Sequence, residues 1–172
     1  MPGVLYAPGM DGDSTQRART LLQQKREGAW YAGGLRFACR FPECCDCCSG
    51  KRGPGYVWVS RDEMATIAAH LGIGFDLFQA AYTRPVDSRF SLVEKPNEDC
   101  IFLGDGGCSI YAVRPAQCRT YPFWEENLRN RAAWRLEAAH CPGIHDNAEP
   151  VPADEVERRL GEDIAWRRRH EP

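Results

Sequence analysis

Five cysteines lie within ten residues, in the stretch CRFPECCDCC that runs from Cys39 to Cys48. Two residues separate Cys44 from Cys47, a spacing that lets both sulfurs reach one metal ion from a tight turn. An isolated cysteine is often a small buried hydrophobic residue, but that explanation does not suit five of them in one turn-like segment. Thiolates bind Zn²⁺ and iron–sulfur clusters and are poor ligands for Mg²⁺ or Ca²⁺. The stretch therefore predicts a site for zinc or for iron, as a mononuclear ion or an iron–sulfur cluster.

Four further cysteines follow at positions where a metal ligand is easily presented. Cys100 and Cys108 are predicted on the two arms of a hairpin, Cys118 in a short helix, and Cys141 just before a Pro-Gly turn. We expect this second group to converge with the first. Buried thiolate sites carry net negative charge and need cations or hydrogen-bond donors nearby. Several basic residues lie within a few positions of a cysteine, and we expect some of them to serve the site: Arg40, Lys51, Arg52, Arg114 and Arg119.

The use of cysteine also bears on the cellular compartment. The N-terminal stretch lacks the basic start and the apolar core of a secretory signal, and no apolar run approaches the roughly 20 residues of a membrane helix. We therefore expect a cytoplasmic protein without a membrane partner. Clustered cysteines in a reducing compartment more often bind metal or react than form disulfides, and an odd total of nine would leave one unpaired. A disulfide framework is the less favoured alternative.

Composition and charge exclude other classes of partner. The chain has 172 residues, 43% of them hydrophobic and 27% charged, which is ordinary for a globular protein of one domain. Its net charge of −2 offers no electrostatic footprint for nucleic acid. The basic run Arg167 to Arg169 is explained by a solvated helix end. We expect a metal ion as the partner, with a protein partner as an alternative and no nucleic acid.

Local patterns predict a small single α+β domain with several helices and a few short strands, organised around cysteine-bound metal. Residues 1–15 are predicted to be disordered, 16–146 to form the cysteine-cluster domain, and 147–172 to form an amphipathic helix and tail. A polar helix is predicted over 15–30. Strands are predicted at 55–60 and 89–95, with a hairpin around Gly104 to Gly107. Two helices are predicted to begin at capping boxes, one at Ser60 and Glu63 and one at Asp154 and Glu157. Three more helices are predicted over 74–84, around Cys118 and over 131–140.

Several segments in this order resemble the YkgJ-like CxxCxxCC cysteine-cluster family. They are RFACRFPECCDCC, SRDEMATIAAHLGI, FDLFQAAYTR, SLVEKPNEDCIFLGDGGCSIYAVRPAQCRTYPFW and HCPGI, and together they span about Trp30 to Ile144. The resemblance implies a zinc- or iron-chelating domain in which Cys45, at a position where the family commonly has Gly, is not a ligand. Here four residues separate Cys39 from Cys44, more than the family usually has. The eight chelating positions that the resemblance implies are Cys39, Cys44, Cys47, Cys48, Cys100, Cys108, Cys118 and Cys141.

Three functions compete at this stage. The first is a metal-binding protein in which zinc or iron has a structural or accessory role. The second, implied by labels used for family members, is an iron–sulfur oxidoreductase or an enzyme related to flagellin lysine N-methylase, although no catalytic residue can be assigned. The third is a non-enzymatic subunit of a larger assembly. The aromatic segment YPFW could serve docking, but we expect Tyr121, Phe123 and Trp124 to pack over the metal site instead. His140 is an alternative ligand.

Overall fold

The computed structural model describes residues 28–53 and 55–170, except for the side chain of Arg52. The predicted disorder over 1–15 and most of the predicted helix over 15–30 lie outside these residues. The chain divides into two units at Gly33 and Gly34. In the described part of the first unit, residues 28–33 form turns, and the rings of Trp30 and Tyr31 meet edge to face.

The second unit contains short helices and short antiparallel strands. The helices are α1 (Arg61–Leu71), α2 (Phe75–Tyr82), α3 (Ala116–Thr120), α4 (Glu125–Leu128), α5 (Arg131–Ala138) and α6 (Ala153–His170), with 3-10 turns at Asp46–Cys48, Gly50–Arg52 and Tyr111–Val113. The strands are β1 (Leu35–Arg36), β2 (Trp58–Val59), β3 (Thr83–Val86), β4 (Arg89–Leu92), β5 (Leu103–Gly104), β6 (Gly107–Cys108) and β7 (Pro150–Val151). They pair in the orders β2-β4-β3, β1-β7 and β5-β6, all antiparallel. The predicted α+β class is confirmed.

Helix α1 begins at the predicted capping box. The Ser60 hydroxyl accepts a hydrogen bond from the backbone N–H of Glu63, and the Glu63 carboxylate accepts one from the backbone N–H of Ser60. The helix ends at Gly72, whose φ of +69° is the left-handed conformation that favours glycine. The apolar positions Met64 and Ile67 recur one turn apart and are fully buried.

The main core lies between the three-stranded sheet and helices α1 and α2. Phe78 is fully buried, and its ring stacks with those of Tyr82 and Phe102. Cys100 and Cys108 pack against this cluster while remaining partly exposed. The core therefore fixes the backbone that carries half of the second cysteine group.

Glu63 connects three helices. Its carboxylate also accepts the backbone N–H of Ala116 at 2.6 Å and the indole N–H of Trp166 at 2.9 Å. Helix α3, which carries Cys118, begins at Ala116, and Trp166 is a buried residue of α6. One carboxylate at the start of α1 thus positions the helix that presents Cys118.

Three local predictions are wrong. The helix predicted over 74–84 ends at Tyr82, because Thr83–Val86 pairs with β4 as an edge strand, a position that tolerates Pro85. Asp154 is not the N-cap of α6, because that helix begins at Ala153 and already contains Asp154 in its first turn. The hairpin arms are only two residues long, so Cys108 lies on one arm but Cys100 lies outside, at a single bridge to Glu94.

Among the described residues, no helix is long and apolar enough to cross a membrane.

Candidate metal centre

The first cysteine group is held in a compact loop by its own backbone. The N–H of Cys44 donates to the carbonyl of Arg40 at 2.9 Å, and the N–H of Cys48 donates to the carbonyl of Cys45 at 2.8 Å. The Sγ atoms of Cys47 and Cys48 are 3.8 Å apart. All nine cysteines of the chain are thiols in the structure. These hydrogen bonds keep the loop compact, and the sulfurs of Cys47 and Cys48 lie next to each other within it.

Backbone contacts join this loop to the second cysteine group. The N–H of Cys100 donates to the carbonyl of Cys48 at 2.8 Å, and the N–H of Gly50 donates to the Asp99 carboxylate at 2.8 Å. The ring of Phe41 lies over Gly107, which has a φ of +93°, and a Cβ there would come within 2.6 Å of that ring. Glycine is thus required at this point of contact, next to Cys108.

Tyr111 provides a side-chain link between the groups. Its ring stacks on Phe41 with centroids 3.8 Å apart, and the guanidinium of Arg114 lies 3.8 Å from the same centroid. Its hydroxyl donates to the sulfur of Cys39 at 3.7 Å. The residue therefore contacts the first loop by its ring and its hydroxyl while belonging to the segment between Cys108 and Cys118.

Cys141 reaches the first group from the other side of the chain. It is buried just after α5, and the N–H of Ala38 donates to the carbonyl of Gly143 at 2.9 Å. A Cβ at Gly143 would lie 2.6 Å from the carbonyl oxygen of Ala38, so glycine permits this close approach. A cavity of about 30 Å³ lies here, and four cysteines border it: Cys39, Cys44, Cys47 and Cys141.

Two larger cavities of about 270 Å³ each adjoin the cysteines. Four cysteines border both of them: Cys47, Cys48, Cys100 and Cys118. The first also has Gln117 and Trp124 on its wall. The second adds Cys39, Cys44, Cys45 and Cys108. Each of the eight predicted ligands therefore borders at least one of three cavities, and so does Cys45, whose exclusion from the ligand set stays a prediction.

The thiols strongly affect one another's protonation. A hydrogen bond from Cys48 to Cys108 raises the pKa of Cys48 far above its usual range and lowers that of Cys108 to about 7. Burial raises the pKa of Cys100 to about 11, and it also raises the pKa values of Cys118 and Cys141. Neighbouring cysteines shift them further in the same direction. A metal ion would therefore compete with protons for these sulfurs.

Four of the five predicted cations border a cavity that cysteines also border. Arg114 and Arg119 border the second large cavity, where Arg119 also forms an ion pair with Glu162 at 2.7 Å. Arg40 borders the small cavity. Lys51 borders a more open cavity beside Cys44 and Cys45 and forms an ion pair with Asp46 at 2.8 Å. The side chain of Arg52 lies outside the described residues.

The other residues singled out from the sequence fall into two sets. Phe123 is fully buried, with its ring edge to face with Phe37 at 5.4 Å, and both Tyr121 and Trp124 border the first large cavity, as expected for packing beside the cysteines. His140 is exposed at the small cavity, where its Nδ1 lies 3.2 Å from the carbonyl of Leu136.

Sequence reasoning missed two residues of the site. Tyr111 was overlooked, although it lies in the segment between two predicted ligands. Arg159 of α6 borders the second large cavity together with the cysteines. Its only sequence signal is a place in an amphipathic helix, which does not indicate what the helix packs against.

The donor chemistry of the site fits zinc or iron, although the sulfurs are not grouped as a finished coordination sphere. In residues 28–53 and 55–170, no group of three or more Cys, His, Asp or Glu side chains could hold a metal ion as it stands. The eight predicted thiol ligands nevertheless border two cavities that arginines also border, the second large cavity and the small one. Soft sulfur donors of this kind select zinc or iron over hard cations. Binding therefore requires the thiols to lose protons and close on the ion.

The fold and this concentration of thiols define a small cysteine-rich α+β domain, and comparison with known proteins assigns its family. Residues 38–142 match the CxxCxxCC family, described as "Putative zinc- or iron-chelating domain", and the chain belongs to that family. An uncharacterized protein of Methanocaldococcus jannaschii is 28% identical over 113 residues, which cover 64% of this chain. The matched part is 58% of that relative's length. No solved structure matches the chain.

Proposed function

We propose that this protein binds zinc or iron through eight cysteines, and that the metal has a structural or accessory role. The observation that supports this most strongly is the meeting of cysteines from distant parts of the chain. Cys48 is hydrogen-bonded through its backbone to Cys100, and Cys39 shares a cavity with Cys141. The ligands of one metal ion must lie close together, and thiols brought together from distant segments of the chain meet that requirement.

The energetics favour a structural role. A structural zinc site contributes about 10–16 kcal/mol to folding, whereas the whole stability of a domain is about 5–15 kcal/mol. The segments that carry the cysteines are turns, one two-residue strand and one helix of five residues. Such short segments bury little apolar surface of their own, so metal bonds would help to hold them against one another.

Single cysteine variants test the ligand set. Cys47→Ser and Cys118→Ser are each expected to lower both the metal content and the soluble yield of purified protein. Cys45→Ser is the matched control, since it removes a thiol from the same loop that is not expected to bind metal. Elemental analysis against protein concentration measures the outcome. Equal metal content in all three variants and the wild type would contradict the assignment.

Metal identity is tested by spectroscopy on protein kept anaerobic throughout purification. Zinc alone gives no visible absorption, whereas an iron–sulfur cluster gives broad visible bands and acid-labile sulfide. Zinc would support the structural role. Iron with sulfide would instead favour the redox or N-methylase-like alternatives and make them the next hypotheses to test.

A further inference from the structure

The position of Cys141 constrains how the predicted ligands can be shared between metal ions. Among the described cysteines, it borders the small cavity but neither of the two large ones. Its companions on that wall are Cys39, Cys44 and Cys47. Of the predicted ligands, these three are therefore the ones that lie beside Cys141 and could share an ion with it.

The remaining four predicted ligands share a different space. Cys48, Cys100, Cys108 and Cys118 all border the second large cavity, and none of them borders the small one. Cys39, Cys44 and Cys47 also border the second large cavity, so Cys141 is the residue that distinguishes the two sets.

Hydrogen bonds connect distant segments within each set. The Ala38 to Gly143 backbone hydrogen bond joins the segment of Cys39 to the turn after Cys141. The backbone of Cys100 is hydrogen-bonded to that of Cys48, whose side chain is hydrogen-bonded to Cys108. The two sets meet where the sulfurs of Cys47 and Cys48 lie 3.8 Å apart.

Cavity size and charge are consistent with two separate ions. A water molecule needs roughly 10–15 Å³, so the small cavity of about 30 Å³ suits one ion better than a polynuclear cluster. Arg40 borders that cavity, while Arg114 and Arg119 border the large one. Each set of thiolates therefore has a cation of its own nearby.

We propose that the domain holds two adjacent four-thiolate sites for thiophilic ions such as Zn²⁺ or Fe²⁺, an inference that rests on the proposed function. Cys47 and Cys48 stand at the boundary and serve different ions, with their sulfurs 3.8 Å apart. The first site consists of Cys39, Cys44, Cys47 and Cys141, and the second of Cys48, Cys100, Cys108 and Cys118.

Cadmium NMR on the full chain tests the division. Metal-free, reduced protein is titrated anaerobically with ¹¹³Cd²⁺, and bound cadmium is counted by elemental analysis. The wild type is expected to bind two equivalents and to show two resonances in the range of sulfur-rich coordination. Cys141→Ser should shift or remove one resonance and Cys118→Ser the other, while Cys45→Ser leaves both unchanged. Cys39→Ser and Cys100→Ser repeat the two arms if a first variant fails to fold.

The outcomes separate this inference from the proposed function. A wild type that binds no cadmium contradicts the proposed function itself. A wild type that binds cadmium at one site, or whose two resonances both respond equally to Cys141→Ser and to Cys118→Ser, overturns the division and leaves metal binding intact. Separate responses to the two variants support two sites.

Discussion

Tyr111 has two distinct contacts with the first cysteine loop, and they differ in kind. Its ring stacks on Phe41 and lies under Arg114, while its hydroxyl donates to the sulfur of Cys39. Aromatic pairs contribute about 0.5–1.5 kcal/mol and cation–π contacts about 0.5–1 kcal/mol at exposed sites, whereas a hydrogen bond to sulfur is weak. The ring, more than the hydroxyl, is therefore expected to hold the loop against the rest of the domain.

Substitution separates these two contacts. Tyr111→Ala is expected to lower the free energy of unfolding by about 1–3 kcal/mol, because it removes both ring contacts. Tyr111→Phe keeps the ring and is expected to cost less than about 1 kcal/mol. Urea unfolding of both proteins as purified provides the comparison. If the two substitutions cost the same, the ring is not what secures the loop.

For single residues, the sequence identifies which side chains can bind a metal but not which of them lie together in the fold. The thiols could be found because five in ten residues are unusual and because a family pattern marks eight of them. Tyr111 and Arg159 have no such mark, since a tyrosine or arginine has many roles and its use here depends on contacts made by distant segments. The spacing of the cysteines along the chain does not indicate how they are divided between metal ions, whereas the position of Cys141 in the fold constrains that division.

The helices and strands show the same distinction between local and long-range information. Helix α1 was predicted from its capping box and its apolar spacing, both of which are local signals. The helix predicted over 74–84 extended two residues too far, because Thr83 and Arg84 belong to β3, which pairs with β4 across a turn of two residues, and the apolar spacing of the helix does not indicate that pairing. The sequence predicts Glu63 only as a capping residue of α1 and does not indicate that its carboxylate also joins α3 and α6.

Glu63 provides a prediction about how the helices are joined. Glu63→Ala is expected to lower the free energy of unfolding by about 2–4 kcal/mol, because it removes the cap of α1 and leaves the N–H groups of Ala116 and Trp166 without their acceptor. Asp62→Ala, an exposed carboxylate in the same turn, is the matched control and should cost less than about 1 kcal/mol. Chemical unfolding measures both. Equal losses would mean that Glu63 acts only as a charge at the helix N-terminus.

The first turn of α6 has a pH-dependent ion-pair group. Hydrogen bonds from Arg158 and then Arg159 lower the pKa of Glu155 to about 2. A lowered folded-state pKa contributes stability above the unfolded pKa of about 4.5, and this is lost as the pH falls toward 2. The stability gap between wild type and Glu155→Gln should therefore be present at pH 7 and shrink between about pH 4.5 and pH 2. Thermal unfolding across this pH range measures the stability gap, and a gap that does not change with pH would contradict a lowered pKa of Glu155. Asp154→Asn, at an exposed carboxylate in the same turn, should give a smaller gap.

At the scale of the whole molecule, the second unit combines one conventional core with a region that depends on the cysteines. The sheet β2-β4-β3 and helices α1 and α2 enclose buried apolar side chains, and this part resembles the interior of any small domain. The cysteine loops, by contrast, connect β1, the β5-β6 hairpin, α3 and the end of α5 through turns. Metal bonds at these sulfurs would tie together segments that are more than sixty residues apart.

Removal of metal should therefore unfold more than the cysteine loops. Prolonged treatment with a strong chelator under reducing conditions is expected to lower the helical circular dichroism signal and the melting temperature, and addition of Zn²⁺ should restore both. The restoration is the control for damage by the treatment. Unchanged circular dichroism and heat stability in protein shown to be metal-free would contradict a structural role.

The metal content of the protein as it comes from the cell shows whether its cysteines bind zinc or iron there. Protein purified anaerobically without added metal is analysed for zinc and iron, and its reactive thiols are counted under native conditions. We expect zinc or iron in stoichiometric amount, with most thiols protected until a chelator is added. Protein that contains neither metal, and whose nine cysteines all react freely, would contradict it.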